Sequence, residues 1–324
     1  MHGIRQSKRK THNRKAVWHG VEDMPHNRQY KAFLIFEIQS KMKIATILLN
    51  YNSTDDCKKC IGYLLQQQGV QQEIIVVDNC SGNEEKNAIE LFCKENGITF
   101  IANSTNSGYN AGNNAGLRYA AEQGYEYALI ANPDMEFPQK DYIYKLLQPM
   151  IDDKEVVVCG SDIMGLDGKH QSPMYRDGNW RNSWGWLTEI FKKQKADTYD
   201  FIDNYSTSHY CAKVSGCCLA VRLSFIESIG FFDEYPLLYC EEAILSRQVE
   251  RAGKKMYYTT EAQAIHAHCK SEKGNPVKRF KQWRRSRLYY IKKYSGDTAF
   301  GCFMASLSIR IYIGILIIRD KIKE

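Results

Sequence analysis

Two short apolar runs, each followed by a carboxylate, constrain the fold of this chain more than any other feature. Glu73-Ile-Ile-Val-Val-Asp78-Asn79 and Tyr127-Ala-Leu-Ile-Ala-Asn132-Pro133-Asp134 show no polar alternation. Each therefore reads as a strand buried on both faces, as in a parallel sheet, with its polar groups at the carboxyl end. That edge is where open α/β sheets bind ligands. There Asp78 is placed to read a nucleobase or ribose, and Asp134 to hold a divalent cation against a diphosphate. Taken singly, each acid also suits a turn cap, because Asp is a common turn residue.

Strands and helices alternate around these runs. A first strand opens at Lys43, and helices are expected from about Asp55 to Gln68 and from about Glu84 to Asn96. A strand at Ile98 to Ile101 and a helix through Leu117 and Ala121 come next, then a helix from Asp141 to Ile151 and a strand from Val156 to Cys159. Strand, helix, strand at this spacing implies right-handed crossovers, so the expected class is α/β with a mostly parallel central sheet flanked by helices. Residues 165 to 210 interrupt the pattern, being rich in Gly, Asp, Asn and aromatics, Trp180, Trp184 and Trp186 among them. The segment is too long for an ordinary connection. It reads as a flap or an acceptor-binding insertion, its tryptophans either stacking on ligand or anchoring the loop from beneath.

Charge is segregated along the chain. Lys and Arg number nine against three Asp and Glu over residues 1–41, 22 against 31 over 42–272, and 13 against three over 273–324. The basic ends, rather than the acidic body, are expected to meet an anionic partner. Residues 1–41 lack a sustained apolar period, and Ala32 to Phe36 is too brief to span a bilayer. This extension is expected to lie outside the fold, with Met42 an alternative start for the natural chain. At the other end, Ala299 to Ile318 is apolar but interrupted by Arg310. It suits the interface of an anionic membrane better than a full span, with a buried bundle or dimer contact as the alternative. Among eleven cysteines, Cys57 and Cys60 form the one CxxC, outside any thioredoxin-like context, so free thiols in a reducing cytosol are expected.

Further segments join these. Ile47-Leu-Leu-Asn-Tyr51-Asn52, Val76-Val77-Asp78-Asn79-Cys80-Ser81, the Asn106 to Gly116 stretch and Asn132-Pro133-Asp134 are followed by Ser215-Gly216-Cys217-Cys218, Ile229 to Glu234 and Leu238-Tyr239-Cys240-Glu241-Glu242. In order and spacing they resemble family 2 glycosyltransferases over roughly residues 42 to 290, and look closest to bacterial rhamnosyltransferase-like members. Each motif is weak alone; the ordered set is specific.

The resemblance implies a GT-A fold and inverting transfer of a sugar, rhamnose by the closest look, from a dTDP- or UDP-sugar. The acceptor would be a hydroxyl of a glycan or lipid-linked molecule in bacterial surface-polysaccharide synthesis. It implies a divalent cation, Mg²⁺ or Mn²⁺, and no nucleic acid partner. A donor half, about 42–160, then carries Tyr51, Asn52, Asp78, Gly108, Asn114, Asn132 and Asp134. An acceptor half, about 161–272, carries Trp184, Trp186, Gly216, Asp233 and Glu234, and residues 273–324 form a basic and apolar helical tail. Asn132 stands where the usual Asp-x-Asp has its first acid, leaving Asp134 as the expected metal carboxylate. His266 is expected to join it, with His268 as fallback and Ser271 matching a family serine. Glu242 is expected to be the base and Glu241 its neighbour, at a helix start that favours negative charge. The family pair usually reads Glu-Asp, and Ile244 stands where a further Asp is usual. Arg284, Arg285 and Arg287 are candidates for phosphate or for a solvated helix face.

A dinucleotide oxidoreductase is disfavoured because no GxGxxG follows the first strand. A nucleotidyltransferase would need a basic glycine-rich loop there, which Asn50 to Asp56 does not offer. The non-enzymatic rival is a degenerate sugar-nucleotide-binding or scaffold subunit. The chain is expected in the cytoplasm, peripheral on the inner face of the plasma membrane.

Overall fold

The computed structural model describes residues 43–189, 204–268 and 276–323. The basic N-terminal extension and Ser271 lie outside the described residues. Strands β1 (Lys43–Asn50), β2 (Gln71–Asp78), β3 (Thr99–Ala102) and β4 (Tyr127–Ala131) run parallel in the order β3-β2-β1-β4. Helices α1 (Thr54–Leu64), α2 (Asn83–Glu95) and α3 (Tyr109–Glu122) make the crossovers. Asn50 is level with Asp78, and Asp78 with Ala102, so the strand ends share one edge.

The continuous apolar runs follow from a sheet covered on both faces. Ile44, Leu48, Ile74, Val76 and Leu129 enter one core with α1, α2 and α4 (Tyr142–Asp152). Ala45, Ile47, Ile75, Val77 and Ile130 enter the other with Leu117 and Ala120 of α3. Successive residues point to opposite faces, so each strand feeds both layers. Cys57 and Cys60 of α1 are fully buried in the first layer, and burial pushes both thiols far up, so the CxxC is packing. Cys80, after β2, is exposed, with its backbone in the left-handed region at φ 64°.

The second half of the sheet is mixed. After the two-residue β5 (Met135–Glu136), β6 (Val156–Gly165) runs past the expected end at Cys159, and the chain leaves at the carboxyl edge. It returns from that same edge through β7 (His209–Cys211) into β8 (Cys218–Arg222), so β8 lies antiparallel between β4 and β6. Helices α6 (Leu223–Ser228) and α7 (Glu241–Arg251) precede the long β9 (Lys255–His266), which pairs parallel with β6 and antiparallel with β5 and β7. A single helical turn, α5 (Trp186–Glu189), lies between β6 and β7.

The tail is part of the folded body. Helices α8 (Pro276–Lys293) and α9 (Ala299–Lys323) build a third core with α7, in which Ala243, Ile244, Tyr290, Ile291, Ala305 and Ile309 are buried. Burying Ile244, Ile291 and Ile309 contributes on the order of 1.5–3 kcal/mol each. Asp177 clamps the same region, accepting from Lys213 Nζ at 2.5 Å and Arg287 Nη1 at 2.8 Å.

Candidate functional site

A cleft of about 660 Å³ opens at the carboxyl edge, lined by Tyr109, Asn132, Gly216, Glu241, Glu242, His266 and His268 among others. Two local devices assemble it. The first is the antiparallel pair β5·β9, in which Met135 is level with His266. It brings Asp134, in the turn after β4, against the end of β9, where Asp134 C=O accepts from the Ala267 N–H at 2.9 Å. His266 Nε2 then lies 3.1 Å from Asp134 Oδ1, and His268 Nδ1 3.0 Å from Oδ2. The rings are stacked with centroids 5.4 Å apart.

One carboxylate and two imidazoles, with ligand atoms all within 4.8 Å of one another, make a donor set that fits a divalent cation. Gln171 orients the central ligand, its Oε1 accepting from His266 Nδ1 at 2.7 Å and leaving Nε2 toward Asp134. Burial raises the Asp134 carboxyl, but hydrogen bonds from His266 and His268 outweigh it and hold the group below its usual range. Burial lowers the His266 imidazole, and its bonds to Asp134 and Cys217 outweigh that, pushing it up to about 10. His266 and Asp134 are thus ion-paired, and His268 hydrogen-bonds the other carboxylate oxygen.

The second device is the strained entry into α7. Tyr239 at φ 76° and Cys240 at φ 69° are consecutive non-glycine residues in the left-handed region, which costs of order 1–3 kcal/mol each. This turn sets Glu241 and Glu242 at the cleft. Glu242 Oε1 accepts from the Gly216 N–H at 3.3 Å, while Gly216 C=O accepts from Tyr109 OH at 2.5 Å. A Cβ on Gly216 would meet Glu242 Oε1 at 3.0 Å, so glycine is what lets the acid approach. Glu241 is different: its Oε1 is buried and has no partner among the described residues. Burial first, and the neighbouring Glu242 second, push its carboxyl up to about 8.

Other sequence-selected residues have structural duties. Asp78 is fully buried, its oxygens accepting from Asn50 Nδ2 and the Ser81 N–H, both at 3.0 Å, so it organises the strand ends and shows no exposed oxygen to a base. Asn52 Oδ1 accepts from the Gly82 N–H at 2.8 Å, while Tyr51 stands exposed beside it. Gly108, at φ 104°, starts α3 against Leu237, whose backbone a Cβ would meet at 2.6 Å. Asn114 is buried and holds both the N–H and C=O of Phe232, with Glu234 on the same amide. Asp233 docks the tail, accepting from Tyr289 OH at 2.7 Å and Lys293 Nζ at 2.8 Å.

Of the two readings of the tryptophans, the burial of Trp186 matches the anchor. Trp186 is buried and its Nε1 donates to Ser308 of α9 at 2.8 Å, with Trp184 stacked at 6.4 Å. Arg287 is held by Asp177, and Arg285 lies over the Tyr235 ring. Sequence reasoning missed Gln171 and the cleft residue His170, which pairs with Asp162 at 2.6 Å and stacks on Tyr205. Both lie in the aperiodic stretch after β6, where no spacing rule marks them.

Residues 46–222, more than half of the chain, match the sequence model of Glycosyl transferase family 2. The chain belongs to this family. Among its relatives is the low-salt glycan biosynthesis hexosyltransferase Agl10 of Haloferax volcanii, 26% identical over 226 residues, which are 69% of this chain and 66% of that protein. The chain thus spans slightly less than two thirds of that relative's length. Among solved structures, GalNAc-T7 with UDP, GalNAc and Mn²⁺ superposes with a TM-score of 0.56 at 13% identity, over 82% of this chain and 54% of that one. The mannosyltransferase PcManGT of Pyrobaculum calidifontis with GDP-Man and Mn²⁺ gives 0.54 at 14% identity, over 83% and 69%. The family 2 chain therefore has the GT-A fold its sequence led us to expect.

Proposed function

We propose that this family 2 protein transfers a sugar from a nucleoside-diphosphate donor to an acceptor hydroxyl, with inversion, in the synthesis of a surface glycan. One observation carries the reading: the Asp134/His266/His268 cluster and the Glu241/Glu242 pair line or adjoin the same cleft. Agl10, named as a hexosyltransferase of glycan biosynthesis, supports the reaction class.

Asp134, His266 and His268 would hold the cation, which when bound stabilises the charge of the departing diphosphate. Two nitrogen donors favour Mn²⁺ over Mg²⁺, which prefers oxygen and water. Glu242, oriented by the Gly216 N–H, takes the proton of the acceptor hydroxyl as that oxygen attacks the anomeric carbon and the bond to the diphosphate breaks. Glu241, with its raised carboxyl, stays protonated near neutrality and leaves the role of base to Glu242. Tyr51 and Asn132 are the donor contacts at the sheet edge, and Asp78 and Asn52 shape the loops that carry them. The donor is a dTDP- or UDP-sugar, rhamnose being the first to test, and the reaction belongs in the cytoplasm at the inner membrane face.

Calorimetric titration of dTDP, UDP and GDP with Mn²⁺, Mg²⁺ or EDTA, repeated on Asp134→Ala, tests the donor site. Cation-dependent binding of one nucleotide, lost in the variant, is expected. Folded protein that binds none of them would overturn the assignment.

A further inference from the structure

Helix α9 is apolar on two opposite sides, and the fold uses one of them. Its inner side carries Ala305, Ser308, Ile309 and Ile313, buried against α8 and Trp186. Its outer side carries Phe300 (64% exposed), Phe303 (63%), Leu307 (37%), Ile311 (40%) and Ile318 (60%). Steps of three, four and seven residues keep these on one stripe. The stretch Ala299–Leu316 has a mean hydropathy of 1.7, yet 28% of it is buried. A helix that has already packed its core face ordinarily turns a polar face outward. This one does not.

The charge on the two tail helices identifies the occupant. Arg279, Lys281, Arg285 and Lys292 of α8 and Arg310 of α9 are all exposed. A second copy meeting this surface across a two-fold axis would set these cations against themselves. An anionic bilayer interface complements both the apolar stripe and the cations. We propose that the outer stripe of α9 seats in the interfacial layer of an anionic membrane, with the cations of the tail at the headgroups.

This surface is joined to the cleft. The third core runs from Ile309 of α9 through Tyr290 to Ile244 of α7, and the first turn of α7 holds Glu241 and Glu242. Seating α9 therefore puts the acceptor side of the cleft beside lipid, and the acceptor is one carried on a lipid anchor. That last step rests on the proposed transfer reaction; the membrane seating does not.

Full-length protein is sedimented with phosphatidylcholine vesicles, with and without phosphatidylglycerol, alongside Phe303→Glu/Ile318→Glu, whose two sites are exposed. Circular dichroism and sedimentation velocity establish the fold and oligomeric state of both proteins. Partitioning of the natural protein is expected to be about tenfold stronger on the anionic vesicles, and to fall about tenfold or more in the variant. Equal partitioning of the two proteins, or none by either, overturns the proposal. So does a dimer that the variant dissolves without changing vesicle binding, which would assign the stripe to a second copy. Transfer to a soluble acceptor analogue is expected to survive in the variant, with loss confined to a lipid-linked acceptor. Vesicle binding by a natural protein that transfers to neither would sink the reaction and leave the seating intact.

Discussion

Replacing Glu241 by Gln should stabilise this protein, and only above acid pH. The Glu241 carboxyl is raised from an ordinary 4.5 to about 8, by burial first and by Glu242 second. Below 4.5 the group is protonated in both folded and unfolded chains and contributes nothing to the difference. As the pH rises from 4.5, the unfolded chain releases the proton while the folded one keeps it, so the natural protein loses stability until about pH 8 and then levels off. At roughly 1.4 kcal/mol per pH unit, the loss by about pH 7.5 approaches 4 kcal/mol. Water entering the cleft and movement of Glu242 take up part of that, and the Gln amide meets the same partnerless spot as the protonated acid, so a net gain of about 2 kcal/mol is expected. Urea unfolding of both proteins at intervals from about pH 4 to pH 8, with equal slopes, gives the difference directly. The curves should coincide near pH 4 and diverge upward. Equal stability throughout, or a gain that persists at pH 4, would refute the burial argument.

Other expectations follow from the same geometry. Glu242→Gln should lower the transfer rate by about 10²- to 10⁴-fold with donor affinity unchanged, measured by steady-state kinetics. Gln171→Ala should weaken Mn²⁺ binding by about tenfold or more in calorimetry, and Gln171→Glu should restore it, because a carboxylate still accepts from His266 Nδ1. Gly108→Ala should prevent stable folding, since the new Cβ would lie 2.6 Å from the Leu237 backbone at φ 104°; a normal thermal midpoint would contradict this. Burial raises the Asp177 carboxyl, but Lys213 and Arg287 outweigh it and hold the group low. Its contribution is therefore present above the ordinary 3.8 and is lost as the pH falls through the lower folded value. Asp177→Asn should cost about 3 kcal/mol in urea unfolding at neutral pH, with the gap to the natural protein closing in strong acid.

Periodicity made the parallel half of the sheet legible. Runs such as Ile74 to Val77 enter two cores at once, so both sheet faces had to be covered, and the parallel order followed from the alternation. The acids at α7 and the histidines at the end of β9 were legible as ordered motifs. Single residues are less legible where one residue type serves two ends. Asp78 has the composition of a ligand-reader and the hydrogen bonds of a strand-end brace. Trp186 has the look of a sugar platform and the burial of an anchor. Ile244, a departure where the family usually has Asp, is fully buried against Tyr290 and Ile309, where a lone carboxylate would be costly. The substitution belongs to the docking of the tail, and it removes one motive for reading the chain as catalytically degenerate. Gln171 lay beyond any spacing rule because its partner stands 95 residues away.

The burial of the thiols has a practical corollary. Cys57, Cys60, Cys93, Cys159, Cys217 and Cys218 are sealed inside the body, whereas Cys80 is exposed on the lip between β2 and α2. A maleimide fluorophore offered in limiting amount will therefore find Cys80 ahead of these, with no substitution made. The dye would sit beside Asn79, whose amide bonds Asn106 and the Gly108 carbonyl, at the edge assigned above to the proposed donor. The chain thus carries its own optical reporter of the proposed donor capture, readable in a stopped-flow instrument.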